Sequence, residues 1–365
     1  MKIWKILLAG AACCALAGAA LAQSTGASPS DRQPRQGDFS LKDFHFRSGE
    51  SLPALHIHYM TLGTPARNAA GEVTNAVLIL HGTGGSGGQF LRPQFADELF
   101  GPGQLLDTAK YFIILPDDIG HGQSSKPSDG LHARFPHYDY ADMVEAEHAL
   151  VTQGLGVKRL RLIMGTSMGC MHAFMWGEQW PSGAAALMPL ACLPVRIVGR
   201  NLMWREMVID GIKADPAWRS GDYAQEPKVS LTAAEDLLTM VGSAPQQMQK
   251  TFPTPGAVSA YLAGPVAQGI GALDANDLIY QVDSSRDYDP STHLEAITAP
   301  VMWVNSADDF INPPELGIAQ HIAPRLVHGQ FVLLPISPLT HGHSTHTWAV
   351  AWKDRLAALL AESDN

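Results

Sequence analysis

Charge is scarce in this chain. Only 16% of its 365 residues are Asp, Glu, Lys or Arg, while 46% are hydrophobic. Such a chain can bury a large core, and the composition of a disordered one is missing. Basic residues are the rarer sign. The 25 Lys and Arg stand against 35 Asp and Glu, for a formal net charge of −10. A nucleic-acid partner, which normally demands a basic face, is argued against. There are only 4 cysteines. No apolar run beyond the N-terminus is long enough to span a bilayer, and no internal repeat is visible.

What is present begins with an export pattern. Met1-Lys2-Ile3-Trp4-Lys5 is a short basic region, Ile6 to Leu16 is apolar and small, and Ala20-Leu21-Ala22 is an A-x-A site. The pattern predicts a signal peptide over 1–22, cleaved after Ala22, and a secreted or periplasmic mature protein with no membrane span. Neither Cys13 nor Cys14 has the Leu three residues earlier that a lipid-anchored precursor would need. Both leave with the signal, so Cys170 and Cys192 remain. An exported pair can form a disulfide. Their apolar surroundings instead suggest two small buried hydrophobes, with Cys170 an unreactive thiol.

Residues 23–38, rich in Ser, Pro, Gly and Gln, read as a flexible leader. From Phe39 to Leu62 apolar and polar residues alternate, as in an antiparallel hairpin. Apolar runs then alternate with helical stretches: Ala76–Leu80, Phe112–Pro116, Leu160–Met164, Ala186–Leu190, Val301–Val304 and Phe331–Leu334. Continuous apolar strands between helices predict an α/β fold with a mostly parallel sheet covered on both faces. The spacing breaks over 196–290, where helical periodicity carries Met203, Trp204, Met207, Trp218, Met240 and Met248. This reads as a helical cap between two core segments, 39–195 and 291–365. Its Met and Trp suggest a mostly apolar pocket, although each is equally at home in a subdomain core.

The chemistry centres on Gly165-Thr166-Ser167-Met168-Gly169, directly after an apolar strand and before a helical run. A serine between two glycines on such a turn is a nucleophile elbow. It needs a base, and the base needs an orienting carboxylate, in the order Ser, acid, His. Past the strand at 301–304 comes Asp308-Asp309 before Asn312-Pro313-Pro314. Asp309 is the favoured acid, with Asp308 its competitor. Past the last strand comes His341-Gly342-His343-Ser344-Thr345-His346, where His343 is the expected base. A metal cluster of these histidines is disfavoured because no carboxylate motif accompanies it. The N–H groups of Met168 and of Thr83, in the glycine-rich loop at 81–88, would hold an oxyanion. That loop lacks the spacing of a phosphate cradle. His56 and His58 read as structural, and Asp117 and Asp118 as partners of backbone or neighbouring polar groups.

These residues resemble the α/β-hydrolase superfamily and, more narrowly, the homoserine O-acetyltransferase family. The likeness runs through Phe135-Pro136, Asp142-Met143-Val144, the elbow, Asp215-Pro216-Ala217-Trp218 with Gly221-Asp222-Tyr223, Asp274-Ala275-Asn276 with Asp287-Tyr288, Asp309 to Pro314, and Gly342-His343. It implies the triad Ser167, Asp309 and His343. Two departures bear on the reaction. Ile209 stands where the family's acetyltransferases carry a carboxylate-binding Arg, and Gln268, Gly269, Gly271 and Ala272 replace basic residues before the D-A-N segment. With the export signal, these point away from amino-acid acetylation. The expected function is an exported serine hydrolase of a small-molecule ester or related acyl compound. The alternative is an acyltransferase with the same triad. Neither needs a cofactor or a metal, and a homodimer stays open.

Overall fold

The computed structural model describes residues 33–363. The expected signal peptide and most of the expected leader lie outside them. The leader's last residues do not stay irregular, because β1 begins at Arg35.

One eight-stranded sheet organises the chain, in the order β1-β2-β4-β3-β5-β6-β7-β8. The hairpin β1 (Arg35–His45) and β2 (Ser51–Leu62) forms one edge, and β2 runs antiparallel to β4. The other strands are parallel: β3 (Ala76–Leu80), β4 (Phe112–Pro116), β5 (Leu162–Thr166), β6 (Leu187–Leu190), β7 (Val301–Ser306) and β8 (Gly329–Leu334). Their side chains alternate between two buried layers. Leu78, Leu80, Ile114 and Ile163 belong to one, and Val77, Ile79, Ile113 and Met164 to the other. This is the pattern of a sheet buried on both faces. Helices α1 (Pro93–Leu99), α2 (Tyr140–Ala149) and α3 (Met168–Gln179) connect the first strands. β5 starts two residues later than the sequence suggested, because Leu160 makes only an isolated bridge to Ala184.

Between β6 and β7 the stretch 196–290 makes no strand. It carries α4 (Gly199–Ala214), α5 (Lys228–Gly242), α6 (Pro245–Thr251), α7 (Pro255–Tyr261), α8 (Ala267–Ile270) and α9 (Ala275–Asp283). Helix α9 fastens this cap to the sheet side. Asp277 accepts from the Ser128 N–H (2.8 Å) and hydroxyl (2.7 Å). Gln281 donates to the Gly120 carbonyl at 2.7 Å, and the Tyr280 hydroxyl to that of Phe135 at 2.6 Å. The D-P-x-W and D-A-N segments hold each other: Trp218 donates to Asn276 at 2.9 Å, and Asn276 donates to the Gly221 carbonyl at 2.9 Å. After β7 come α10 (Ile318–Ile322) and, after β8, α11 (Lys353–Glu362), which covers the second layer.

Two expectations are corrected. Cys170 and Cys192 are buried, but they are not thiols: they form a disulfide with a Cα–Cα separation of 5.8 Å. Cys170 lies in the first turn of α3 and Cys192 just beyond β6, so the pairing of neighbouring strands β5 and β6 brings them together. The cap methionines also point the other way. Met203, Met207 and Met240 are all more than half exposed and line no pocket with Ser167.

Candidate active site

Ser167 joins β5 to α3 with φ 55° and ψ −107°, a conformation that a side-chain-bearing residue holds only when its surroundings enforce it. Crowding explains both flanking glycines. A Cβ at Gly165 would overlap the Gly169 carbonyl, and one at Gly169 would overlap that of Leu80 in β3. The turn is pinned by Ser167 N–H donating to the Leu190 carbonyl (2.8 Å) and Gly169 N–H to that of His81 (2.9 Å).

The structure brings His343 to this serine. The Asp309 carboxylate takes the His343 Nδ1–H, at 2.9 Å to Oδ2 and 3.1 Å to Oδ1. That tautomer leaves Nε2 as an acceptor for the Ser167 hydroxyl, 2.8 Å away. Asp309 also accepts from the N–H groups of Ile311 (2.7 Å) and Asn312 (3.1 Å) and from Asn312 Nδ2 (3.1 Å). Burial works to raise its pKa, but His343 and these hydrogen bonds outweigh it and hold the carboxyl below its ordinary value. Asp308 faces elsewhere, accepting from the Ser306 hydroxyl. Gly342 supplies the bend before His343 with φ 62°, where a Cβ would collide with the Ser243 carbonyl of the cap.

Met168 opens α3, and Thr83 occupies the turn closed by Gly85 N–H on the Gly82 carbonyl at 2.9 Å. Among the described residues neither backbone N–H has a partner in the protein. Thr83, Ser167 and His343 line one cavity of about 260 Å³ with Trp204, Arg205 and Glu235. Its remaining wall is mostly apolar, including Leu238, Val241, Leu273 and Leu278.

Sequence reasoning missed three parts of this site. Arg205 is the first: it is 3% exposed, donates only to Asn201 Oδ1 (3.2 Å) and the Val282 carbonyl (3.3 Å), and meets no carboxylate among the described residues. It lies one helical turn before Ile209 on α4, where an i−4 spacing keeps it on the same face. The second is Asn312, hidden in the Pro-marked loop, which braces Asp309. The third is His81. Its Nε2 accepts from Asp118 N–H (3.0 Å), so its Nδ1–H donates to the Gly82 carbonyl (2.9 Å) and sets the start of the Thr83 turn.

Beneath the elbow, Asp118, Glu147 and His172 form a buried cluster with ligand-type atoms within 4.8 Å of one another. His172 Nδ1–H donates to Glu147 Oε1 (2.7 Å) and Trp176 Nε1–H to Oε2 (2.6 Å), which makes it a hydrogen-bonded network. Asp117 behaves as expected, accepting from the His58 ring (2.8 Å), Gly87 N–H (2.8 Å) and Gln123 N–H (2.9 Å). The Asp118 carboxyl meets no such donor, and burial, then the charge of Glu147, pushes it well above the usual carboxylate range. Burial also lifts Glu147 to about 7 and lowers His172 to about 4.

A serine, an imidazole and a carboxylate in series at the carboxyl edge of a parallel sheet, beneath a helical cap, mark the α/β-hydrolase class. Residues 75–321 match the family model described as "alpha/beta hydrolase fold". A homoserine O-acetyltransferase of Pelobacter propionicus is 30% identical over 77% of this chain and 84% of its own length. The fold is shared with an acetylester hydrolase from Corynebacterium glutamicum (TM-score 0.78, 19% identity, 90% of this chain and 96% of that one). It is also shared with a homoserine O-acetyltransferase from Bacillus anthracis (TM-score 0.78, 20% identity, 90% and 97%). The chain belongs to the α/β-hydrolase family, within its homoserine O-acetyltransferase-like branch, and is an enzyme with esterase and acyltransferase relatives.

The buried Glu147 gives a pH test. Its folded pKa is raised, to about 7, from 4.5. The folded state therefore binds the proton more tightly, and stability is lost as pH rises through that window. Glu147→Gln removes the ionisation and, at every pH alike, turns one of the two acceptor oxygens into a donor facing an N–H, so only the change with pH reports the titration. Urea unfolding should show the variant gaining on wild type between pH 5 and pH 8, by up to about 3 kcal/mol. An unchanged difference at the two pH values contradicts this.

Proposed function

We propose that this enzyme is an exported serine hydrolase that cleaves an ester or related acyl compound through an acyl-enzyme. The observation that carries the reading is the 2.8 Å approach of His343 Nε2 to Ser167 Oγ, with Asp309 on the opposite nitrogen of the same ring. Ser167 Oγ attacks the substrate carbonyl carbon as its proton passes to His343 Nε2. Asp309 stays ionised and stabilises the imidazolium. The N–H groups of Met168 and Thr83 receive the oxyanion. The tetrahedral intermediate collapses, and the leaving alcohol takes the proton from Nε2. Water then attacks the acyl carbon and gives a proton to the same nitrogen; collapse of this second intermediate releases the acid as Nε2 returns the proton to Ser167 Oγ.

Arg205 refines the substrate. A buried guanidinium with spare N–H groups beside the nucleophile is compensated when a carboxylate or similar anion fills the cavity. The cation absent at position 209 is thus supplied from position 205. This also favours a second reading, in which the acyl group passes to an acceptor bearing a carboxylate instead of to water. Product analysis with and without such an acceptor separates the two, since hydrolysis at an undiminished rate in its presence leaves no room for transfer.

Three outcomes follow. A fluorophosphonate labels Ser167, and Ser167→Ala lowers kcat on a graded panel of esters about ten-thousand-fold or more; retained turnover would sink the serine reading. Arg205→Met lowers kcat/KM about ten- to hundred-fold for esters carrying a carboxylate and much less for neutral ones. Equal losses would remove the anion site. The mature protein recovered from outside the cytoplasm has the mass of a chain starting at Gln23, and a full-length mass there would overturn cleavage after Ala22.

A further inference from the structure

The segment Leu190-Ala191-Cys192 holds Ser167 directly and reaches Asp309 through Asn312. The Leu190 carbonyl takes the Ser167 N–H at 2.8 Å. The Ala191 carbonyl takes Asn312 Nδ2 at 3.0 Å, and the same amide nitrogen donates to Asp309 Oδ2 at 3.1 Å. The Cys192 carbonyl takes Trp303 Nε1 (2.9 Å) and Asn305 Nδ2 (3.0 Å) from β7, the strand that delivers Asp309. Ala191 itself has φ 65°. An alanine keeps that left-handed conformation only when its neighbours over-determine it. Its N–H donates to the Val304 carbonyl at 3.0 Å, its carbonyl takes Asn312, and the disulfide ties the next residue to Cys170, three positions after Ser167 on α3. A short covalent path therefore runs from the nucleophile to the carbonyl that aims Asn312 at Asp309.

We infer that the Cys170–Cys192 disulfide is a positioning element of the catalytic site, and that closing it raises turnover. The inference rests on the serine-hydrolase reading above. In closing the bridge, two thiols react with an oxidised low-molecular-weight disulfide through a mixed disulfide, giving the protein disulfide and two reduced thiols. The pair is buried, so once closed it is shielded from thiol exchange in the folded enzyme. An exported enzyme would then reach full activity only after entering an oxidising compartment.

The test compares one polypeptide in two redox states. The full chain without its signal is produced under reducing conditions and assayed in the presence of a phosphine reductant. It is then refolded with oxidised glutathione and assayed again. Thiols are titrated after denaturation, and active sites are counted with a fluorophosphonate, so that rates are per competent serine. The expected result is two thiols in the reduced form and none in the oxidised form. Oxidation should raise kcat for p-nitrophenyl acetate about ten-fold, with KM changed less than about two-fold, as expected for a nucleophile–base pair that is better aligned and not for a reshaped pocket. The Cys170→Ala/Cys192→Ala double variant should match the reduced form. Its kcat loss should combine less than additively with that of Asn312→Ala, since both act on Asp309. A kcat unchanged by oxidation, even with a higher melting temperature, or fully additive losses, would reduce the bridge to a structural staple and overturn the inference. Two free thiols after oxidative refolding would overturn it as well. Failure of the serine reading looks different: turnover would then survive Ser167→Ala in both redox states.

Discussion

Two backbone carbonyls leave no space for a side chain on either side of Ser167, and the rest of the site depends on that crowding. The carbonyl of Gly169 closes on Gly165, and that of Leu80 closes on Gly169. Helix α3 can therefore seat its first turn directly against the end of β3, and the loop leaving β3 is forced past the serine. A Cβ at Gly82 would stand only 3.3 Å from the Ser167 Cβ. The Thr83 turn is thereby brought beside Ser167, next to the start of α3 at Met168. The strained dihedrals of Ser167 are the cost of this approach, of the order of 1–3 kcal/mol. They are held by the hydrogen bonds of the turn to Leu190 and His81.

Below and beside this turn two buried carboxyl groups meet opposite fates, and the difference is a matter of donors. Asp309 is almost completely buried, yet three backbone or amide N–H contacts and the His343 ring keep it ionised. Asp118 is equally buried, receives no hydrogen bond to its carboxyl oxygens, and sits beside Glu147. Burial then dominates, and with the charge of Glu147 it pushes the carboxyl well above the usual carboxylate range. The first arrangement suits a group that must stabilise an imidazolium. His81 couples Asp118 to the turn beside the serine, since it takes the Asp118 N–H on one nitrogen and fixes Gly82 with the other.

The fold was legible because buried parallel strands are written as apolar runs, and the elbow because its steric needs are local. Glycines two residues either side of a serine can be read without knowing what they touch. The order of Asp309 and His343 was legible for the same reason, each following a strand end. Contacts between strand ends were not. Cys170 and Cys192 meet only because β5 and β6 are neighbours, and burial alone did not distinguish a thiol from a disulfide. Arg205 was hidden by matching positions one to one, because a helix face offers the same direction one turn away. The cap methionines misled for a related reason: α4 carries too weak an apolar pattern to say which side faces inward, and Met203 and Met207 turn outward while Trp204 and Arg205 turn in. The two cap signatures were legible as a resemblance, but their work is to bind each other through Trp218 and Asn276.

The balance between water and another acceptor turns on space. The cavity of about 260 Å³ at Ser167 sits at the small end of ligand sites. It shares Gly84, Leu273, Leu278 and Gln281 with a second chamber of about 400 Å³, whose wall includes Arg92, Lys126 and Asp277. The cavity at Ser167 is apolar on most sides and holds one cation, Arg205, and one carboxylate, Glu235, so a short acyl chain with an anionic group directed at the guanidinium is its compatible content on the proposed reading. The second chamber is polar, and a larger leaving group can extend into it. On the proposed reading, departure of that group would leave the second chamber free for water to approach the acyl carbon. Transfer wins only if an acceptor holds Arg205 tightly enough to occupy the cavity at Ser167 before water does. On the proposed reading, the guanidinium that would select an anionic ester also sets the condition under which transfer competes with hydrolysis.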